Sequence, residues 1–465
     1  MTLPPKTGSA PRSKTGCLTC RQRKKKCDER KSTCAACHRN NLVCRWQPAD
    51  AVAPTRRPRR RRLLSDRSLP PELSAMVTVF ALPSPDLVQR LLHHFTEHGP
   101  MWLTSRTGKN RTAVLFHLFP EAMESPLILN CVLMIAAEDL LKYDSNMKLQ
   151  AAAVEYYGQA VAGLRSELDR HSQGENASDH TLLAVALFCL HEAQNYSSSS
   201  RFLPHVNAAA ILLRQRLPTT PPNLNLRKFL IEMLCYFFSI TAFSHGASLA
   251  FHEASPIFHF PGLDQYLQTG TIMGTSQKAF FIVFRLSQQL AQISSSPSTP
   301  LEESLRSELL NTAHDLRTTR PAFQLTPSMT AGEINDGVTF ELYRLACLLY
   351  IEQTIDPSLP STSPSIQTKV ASFIAYLAQL PPESPSDGFL CWPLMITGIR
   401  AVERTHQGAI AARLRSTYER FRSKIFSGNL AVLRRWWKDG DGIGAVEGFG
   451  VGSRERREEY PVLLV

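Results

Sequence analysis

A chain of 465 residues has room for a small module and one or two larger domains, and its 43% hydrophobic content is that of an ordinary globular protein. No apolar run approaches the roughly 20 residues of a membrane span; Phe229 to Phe243 comes nearest, is too short and carries Glu232. The formal net charge of +12 is uneven: residues 1–72 hold 19 Lys+Arg against 5 Asp+Glu, whereas the rest hold 33 against 35. The basic excess lies in the amino-terminal stretch and favours an acidic partner, nucleic acid more than membrane.

Residues 1–15 are rich in Pro, Lys, Ser and Thr and are expected to be disordered. They hold Lys6, Arg12 and Lys14 but no apolar core of a secretory signal, so a reducing compartment is expected, where thiols bind metal instead of pairing. Six cysteines follow: Cys17, Cys20, Cys27, Cys34, Cys37 and Cys44, a C-x2-C-x6-C unit and its repeat. C-x2-C is the usual spacing for two thiolates on one Zn(II). Two closed tetrahedral sites need eight ligand positions, so two of the six sulfurs must each bridge both ions. The repeat makes the bridging pair equivalent residues: Cys17 and Cys34, Cys20 and Cys37, or Cys27 and Cys44. The stretch is too short to bury a useful core, so metal binding must supply most of its folding energy.

Between the second and third cysteines runs Arg21-Gln22-Arg23-Lys24-Lys25-Lys26, without Gly or Pro. A short helix is expected over 21–26, presenting cations to a duplex groove. Arg reads guanine O6 and N7 bidentately, Lys less rigidly, and the remaining cations neutralise phosphates.

The stretch GCLTCRQRKKKCDERKSTCAACHRNNLVC resembles the DNA-binding domain of the fungal binuclear zinc cluster transcription factors. The resemblance implies two Zn(2+) ions with Cys17 and Cys34 as bridges. One ion would take Cys17, Cys20, Cys27 and Cys34, the other Cys34, Cys37, Cys44 and Cys17. It also implies double-stranded DNA as partner, with a first helix in the major groove over a CGG-like triplet. The base-reading pair would be Arg23 and Lys24, supported by Arg21, Lys25 and Lys26. Many members carry a proline in the central loop, and Asp28 to Thr33 has none.

The module is taken as residues 16–46, and 47–83 as a basic Pro/Arg-rich linker. Arg56, Arg57, Arg59, Arg60, Arg61 and Arg62 form a nuclear localisation candidate there. The prolines forbid a heptad run, so a homodimer, if formed, would not use an adjacent coiled coil. From Ser84-Pro85-Asp86, an N-cap serine followed by proline and an acid, the pattern is helical. The first helix is expected to end at His98, before Gly99-Pro100. An almost wholly apolar segment at 126–142 predicts a buried helix, and 146–170 an amphipathic one with Leu149, Ala153, Tyr156, Tyr157, Ala160, Val161, Leu164 and Leu168 on one face. Further helices are expected at 178–194, 203–217, 224–245, 275–293, 302–318, 334–355, 365–380, 393–405 and 407–438. Cys131, Cys189, Cys235, Cys347 and Cys391 lack ligand spacing and read as buried thiols.

The fold class is therefore a small metal-stabilised binuclear zinc cluster module followed by a large all-α helical domain over 84–438, with a flexible tail at 439–465. The segments LFPEAMESPLILNCVLMIAAEDL and AAAVEYYGQAVAGLRSEL, with His205 to Leu213, resemble the fungal-specific regulatory domain found downstream of many such clusters. That implies a nuclear, non-enzymatic transcription regulator of RNA polymerase II genes, acting on the transcription machinery or co-regulators through the helical domain and controlling a metabolic or biosynthetic gene set. Two other readings are a zinc-stabilised protein-docking module, which the basic run disfavours, and a metal-dependent hydrolase using His94, Glu97 and His98, whose H-x-x-E-H pattern is short enough to arise by chance.

Overall fold

The computed structural model describes residues 16–23, 25–46, 85–173, 178–195, 199–245, 249–263, 270–274, 282–287, 303–318, 323–356 and 358–439. The chain divides into two compact units, Met1–Ser68 and Leu69–Val465. Lys24, the arginine block at 56–62 and the carboxy-terminal stretch lie outside the described residues.

In the first unit two five-residue helices, α1 (Leu18–Gln22) and α2 (Ala35–Arg39), repeat one design. Each is capped by the first cysteine of its repeat: the Cys17 and Cys34 sulfurs accept the N–H of Cys20 and Cys37, both at 3.4 Å. The helix expected over 21–26 is displaced towards the amino terminus, because the thiol cap starts it at Leu18. It ends where Arg23 forms the C-cap and the Lys25 N–H returns to the Cys20 carbonyl at 3.0 Å. Arg21 thus sits in the last helical turn, whereas Lys25 and Lys26 follow in irregular chain.

The second unit is helical wherever regular structure is described, with a 3-10 turn at Pro385–Phe389. Its first group is α3 (Pro85–Leu103), α4 (Lys109–Thr112), α5 (Leu115–Glu124), α6 (Pro126–Leu141), α7 (Met147–Ser172), α8 (Asp179–Gln194), α9 (Ser199–Arg216), α10 (Leu224–His245) and α11 (Leu249–Phe258). The second is α12 (Glu303–Thr318), α13 (Ala331–Ile355), α14 (Pro364–Leu377), α15 (Cys391–Arg400), α16 (Arg404–Phe421) and α17 (Lys424–Asp439). The groups meet where α3 contacts the 3-10 turn. No helix among the described residues is long and apolar enough to cross a membrane.

Local chemistry sets the helix starts. Ser125 caps α6 through the Ile128 N–H with Pro126 at the first helical position, and Ser178 caps α8 through the Thr181 N–H. Thr330 and Glu333 form a reciprocal capping box on α13. α6, α8 and α15 are buried on nearly every face, as their apolar sequences require. α7 buries Leu149, Ala153, Tyr156, Ala160 and Leu164, with Tyr157, Val161 and Leu168 packed half-buried beside them, which is the face expected from the sequence. The five cysteines of this unit are all buried, and burial pushes their thiols up.

Three expectations are corrected. Gly99-Pro100 does not end α3, which continues to Leu103. A proline inside a helix costs about 3 kcal/mol, but burying a large apolar side chain such as Leu103 returns about 1.5–3 kcal/mol, and Trp102 packs here too. Gly99 also lets the Phe95 ring approach to where a Cβ would meet it at 3.0 Å. Residues 407–438 are two helices, broken at Arg422, whose φ of 51° is left-handed. Finally, the helices at 109–112, 115–124 and 249–258 lack clear periodicity and were not expected separately.

Buried polar groups tie these elements together. Glu232 on α10 accepts N–H bonds from Thr271, Ile272 and Met273 at 2.7, 3.0 and 2.8 Å. Arg227, fully buried, donates to Asp179 Oδ1 at 2.6 Å and to the Arg216 carbonyl at 2.8 Å. Tyr143, just past α6, donates to the Arg420 carbonyl at 2.7 Å, and the Arg422 guanidinium lies over its ring.

Candidate metal centre and nucleic-acid interface

The two capped helices bring four sulfurs together. Cys17 Sγ lies 3.7 Å from both Cys34 Sγ and Cys37 Sγ, and Cys20 Sγ lies 3.5 and 3.9 Å from the same two. Thiolates that share a tetrahedral zinc with Zn–S near 2.3 Å stand about 3.8 Å apart, and the Cys17–Cys34, Cys17–Cys37 and Cys20–Cys34 separations suit such sharing. The remaining two sulfurs join through the backbone of the two capping cysteines. Cys27 Sγ accepts the Cys17 N–H at 3.4 Å and groups with Cys34; Cys44 Sγ accepts the Cys34 N–H at 3.3 Å and engages Cys17 and Cys37. Cys34 is thus approached by Cys27 and Cys17 by Cys44.

Burial works against ionising these thiols. It raises Cys17 and Cys20 and pushes Cys37 up to about 12. At Cys34 burial is outweighed by the Cys37 N–H and the neighbouring thiols, which hold it down at about 6. Hydrogen bonding to the charged form is what lowers a thiol in this way.

Several contacts that the cysteine spacing does not announce stiffen the cluster. Asp28 Oδ1 accepts the Ala35 N–H at 2.9 Å, tying the central loop to the start of α2. That loop turns without proline by placing Glu29 and Ser32 at φ 60° and 65°. The returning chain pairs with α1: Leu18 N–H donates to the Arg45 carbonyl at 2.7 Å, and the Thr19 hydroxyl donates to the Val43 carbonyl at 2.8 Å. Trp46 packs against the cysteines, donates to the Ser32 carbonyl and carries Lys31 over its ring at 5.1 Å. A loop aspartate and a tryptophan after the last cysteine were the signals that could have suggested these contacts.

Arg21, Arg23, Lys25 and Lys26 are all exposed, while the cysteines that bracket them, Cys20 and Cys27, are buried. Residues 16–46 carry nine Lys+Arg against Asp28 and Glu29. Six thiolates with two Zn(II) add two negative charges, so the loaded module remains strongly cationic.

The H-x-x-E-H residues do not form such a group. His94 Nε2 bonds to Asp139 Oδ2 at 2.9 Å, and its ring stacks on His98. Lys142 takes the other Asp139 oxygen at 3.1 Å, so the histidine serves to join α3 to α6. Glu121, Glu124 and His180 also approach one another, but Glu121 is satisfied by His180 and Asn223.

Comparison with known proteins agrees with this geometry. The fungal Zn(2)-Cys(6) binuclear cluster domain matches residues 15–51, and the fungal specific transcription factor domain matches residues 90–445. The chain belongs to the fungal Zn(2)-Cys(6) transcription factors, a family of DNA-binding regulators and not of enzymes. Its cluster domain takes two zinc ions, for which the sulfur separations are suited. Among relatives, the chain is 56% identical over 57 residues to the transcription factor lfc1 of Flammulina velutipes, covering 12% of this chain and 20% of that protein. It is 38% identical over 90 residues to the Zn(2)-C6 fungal-type transcription factor afumD of Aspergillus fumigatus, covering 18% and 21%. It is 61% identical over 33 residues to the transcription activator AMTR1 of Alternaria alternata, covering 7% and 4%. The matched stretches thus span about a fifth or less of these relatives' length. No solved structure matches the chain.

Proposed function

We propose that the chain is a sequence-specific, nuclear regulator of RNA polymerase II genes that reads CGG-like elements through its cysteine cluster. The observation that carries this reading is the exposed row Arg21, Arg23, Lys25 and Lys26, held between buried thiols on a module that metal stiffens.

In this reading one zinc is held by Cys17, Cys20, Cys27 and Cys34, the other by Cys34, Cys37, Cys44 and Cys17. The approach of Cys27 to Cys34 and of Cys44 to Cys17 supports the shared pair. Arg23, at the end of α1, and Lys24 after it read base edges, and Arg21, Lys25 and Lys26 grip phosphates. The arginines at 56–62 serve nuclear entry. The helical domain passes the output to the transcription machinery or co-regulators and governs a metabolic or biosynthetic gene set. Any homodimer forms without a coiled coil next to the cluster.

A gel shift of the zinc-loaded full-length protein tests the reading. A CGG-containing duplex should be retained over a scrambled one by at least tenfold, and affinity should fall steeply with salt. Equal retention of both duplexes would overturn sequence-specific recognition.

A further inference from the structure

Charge in the helical unit is divided unevenly along the chain. Residues 73–403 hold 21 Lys+Arg against 28 Asp+Glu, whereas residues 404–438 hold nine against one, Glu419. This basic stretch is the α16–α17 hairpin, and nothing in the reading above uses it.

Packing decides where the nine cations go. α16 and α17 pack on each other and both on α15, which is buried along its whole length, so their far sides face solvent. Arg413 and Arg420 turn inward, where both meet the buried Asp387, at 2.6 and 3.0 Å. The other seven are exposed: Arg404, Arg415 and Arg422 along α16 and its C-cap, and Lys424, Arg434, Arg435 and Lys438 along α17. Of these, Arg404, Arg415, Arg422, Lys424, Arg434 and Lys438 have no carboxylate partner among the described residues.

What lies between the cations is small. The exposed stripe of α16 runs Arg404, Gly408, Ala412, Arg415, Glu419 and Arg422, and that of α17 runs Lys424, Gly428, Ala431, Arg435 and Lys438. Both advance by three or four residues, which keeps them on one helix face. A Cβ built at Gly408 or Gly428 would meet nothing within 4 Å. The α17 stripe covers about 21 Å, roughly the rise of six base pairs. A row of cations over so low a surface suits a polyanion that must come close along its length.

The apolar side chains of the hairpin turn the other way. Trp436 and Trp437 donate to the carbonyls of Ile399 and Gly398 at 3.2 and 2.8 Å and pack on the core. Tyr418 is the one large apolar side chain exposed on the hairpin among the described residues. A membrane-surface helix turns its apolar face outward, and a protein-binding surface centres on aromatic anchors, whereas this face offers cations and little else.

We propose that the α16–α17 hairpin is a second DNA-binding surface, which grips duplex phosphates without reading sequence. Its setting rests on the DNA-binding reading above: residues 47–84 span at most about 130 Å, so a duplex held by the cysteine cluster is presented to the hairpin at high local concentration. The acidic remainder of the unit is repelled by the same duplex, which leaves the hairpin as the side that approaches.

The test is fluorescence anisotropy of the zinc-loaded full-length protein on two labelled duplexes several times longer than the α17 stripe, one with a CGG element and one scrambled. The combined variant Lys424→Gln, Arg434→Gln and Lys438→Gln should bind both duplexes about tenfold more weakly or worse, keep any preference for CGG and lower the salt slope by about two to three. These side chains are exposed, so the thermal midpoint should not move. A control that removes the same charge elsewhere, Lys148→Gln, Arg165→Gln and Arg306→Gln, should bind both duplexes as the wild type does. Wild-type affinity and slope in the hairpin variant would overturn the proposal, as would equal weakening in the control, since net charge alone would then be responsible. Polyglutamate bound by the wild type as tightly as the scrambled duplex, and lost in the hairpin variant, would assign the surface to an acidic polypeptide and overturn it too. A wild type that ignores the CGG element while the hairpin variant still loses affinity counts against sequence recognition and leaves this surface standing.

Discussion

The sulfurs of Cys17 and Cys34 lie 3.7 Å apart, and each accepts the N–H of the cysteine three residues further on. Equivalent places in the two repeats thus meet at the centre of the module. If these two sulfurs are shared, their loss differs in kind from loss of a peripheral one. Cys34→Ser should remove both zinc ions and Cys44→Ser one, as read by native mass spectrometry of the full chain. One ion retained in Cys34→Ser would exclude Cys34 as a bridge.

Arg23 and Lys25 sit on either side of the helix end, Arg23 at the C-cap and Lys25 beyond it. A base-reading Arg23 predicts that Arg23→Ala costs about 1–3 kcal/mol on the CGG duplex and relaxes preference at one position. Lys25→Ala should weaken all duplexes evenly and lower the salt slope by about one. Uniform weakening in Arg23→Ala would move that residue to the phosphate backbone.

Arg227 is fully buried on Asp179, at 2.6 Å. Arg216 Nε also donates to Asp179 Oδ1, at 3.2 Å, so Arg227→Met leaves the carboxylate one partner short and should cost about 1–3 kcal/mol in denaturant unfolding. Asp179→Asn added to Arg227→Met should recover part of that loss, because the under-paired buried carboxylate is gone. No recovery would mean that the guanidinium acts by packing alone.

Glu232 gives the helical domain a pH dependence. Burial pushes its carboxyl up to about 7 against the opposing pull of the Thr271, Ile272 and Met273 N–H groups. The folded chain therefore binds a proton that the unfolded chain has released between pH about 4.5 and 7. Stability from this group falls as pH rises through that window. The thermal midpoint of the wild type should drop between pH about 5 and 8, and Glu232→Gln should flatten the slope. An unchanged slope in the variant would assign the dependence to other groups.

What could be read from the sequence follows the reach of each interaction. Metal ligation is local, so six cysteines in 28 residues announce the cluster, and apolar periodicity announces helices such as α6 and α7. The limits of α1 were not legible, because a thiol is no ordinary helix cap, and the helix expected over 21–26 followed the absence of glycine and proline there instead. The break at Arg422 carries no glycine or proline, and α3 overrides both at 99–100 because the burial beyond them is worth more. Long-range packing is still further from view: Trp102, Gln194, Met233 and Ser423 become neighbours only through it.

The five cysteines sealed inside the helical domain have a practical result for redox chemistry. Cys131, Cys189, Cys235, Cys347 and Cys391 are shielded by the core with their thiols pushed up, so an oxidant or alkylating agent meeting the native chain finds its reactive sulfur in the amino-terminal module, where Cys44 is half-buried and Cys34 is held down at about 6. Damage of this kind would release zinc while the larger domain stays intact, and intact-mass counting of adducts before and after denaturation would separate the two thiol populations in a single sample.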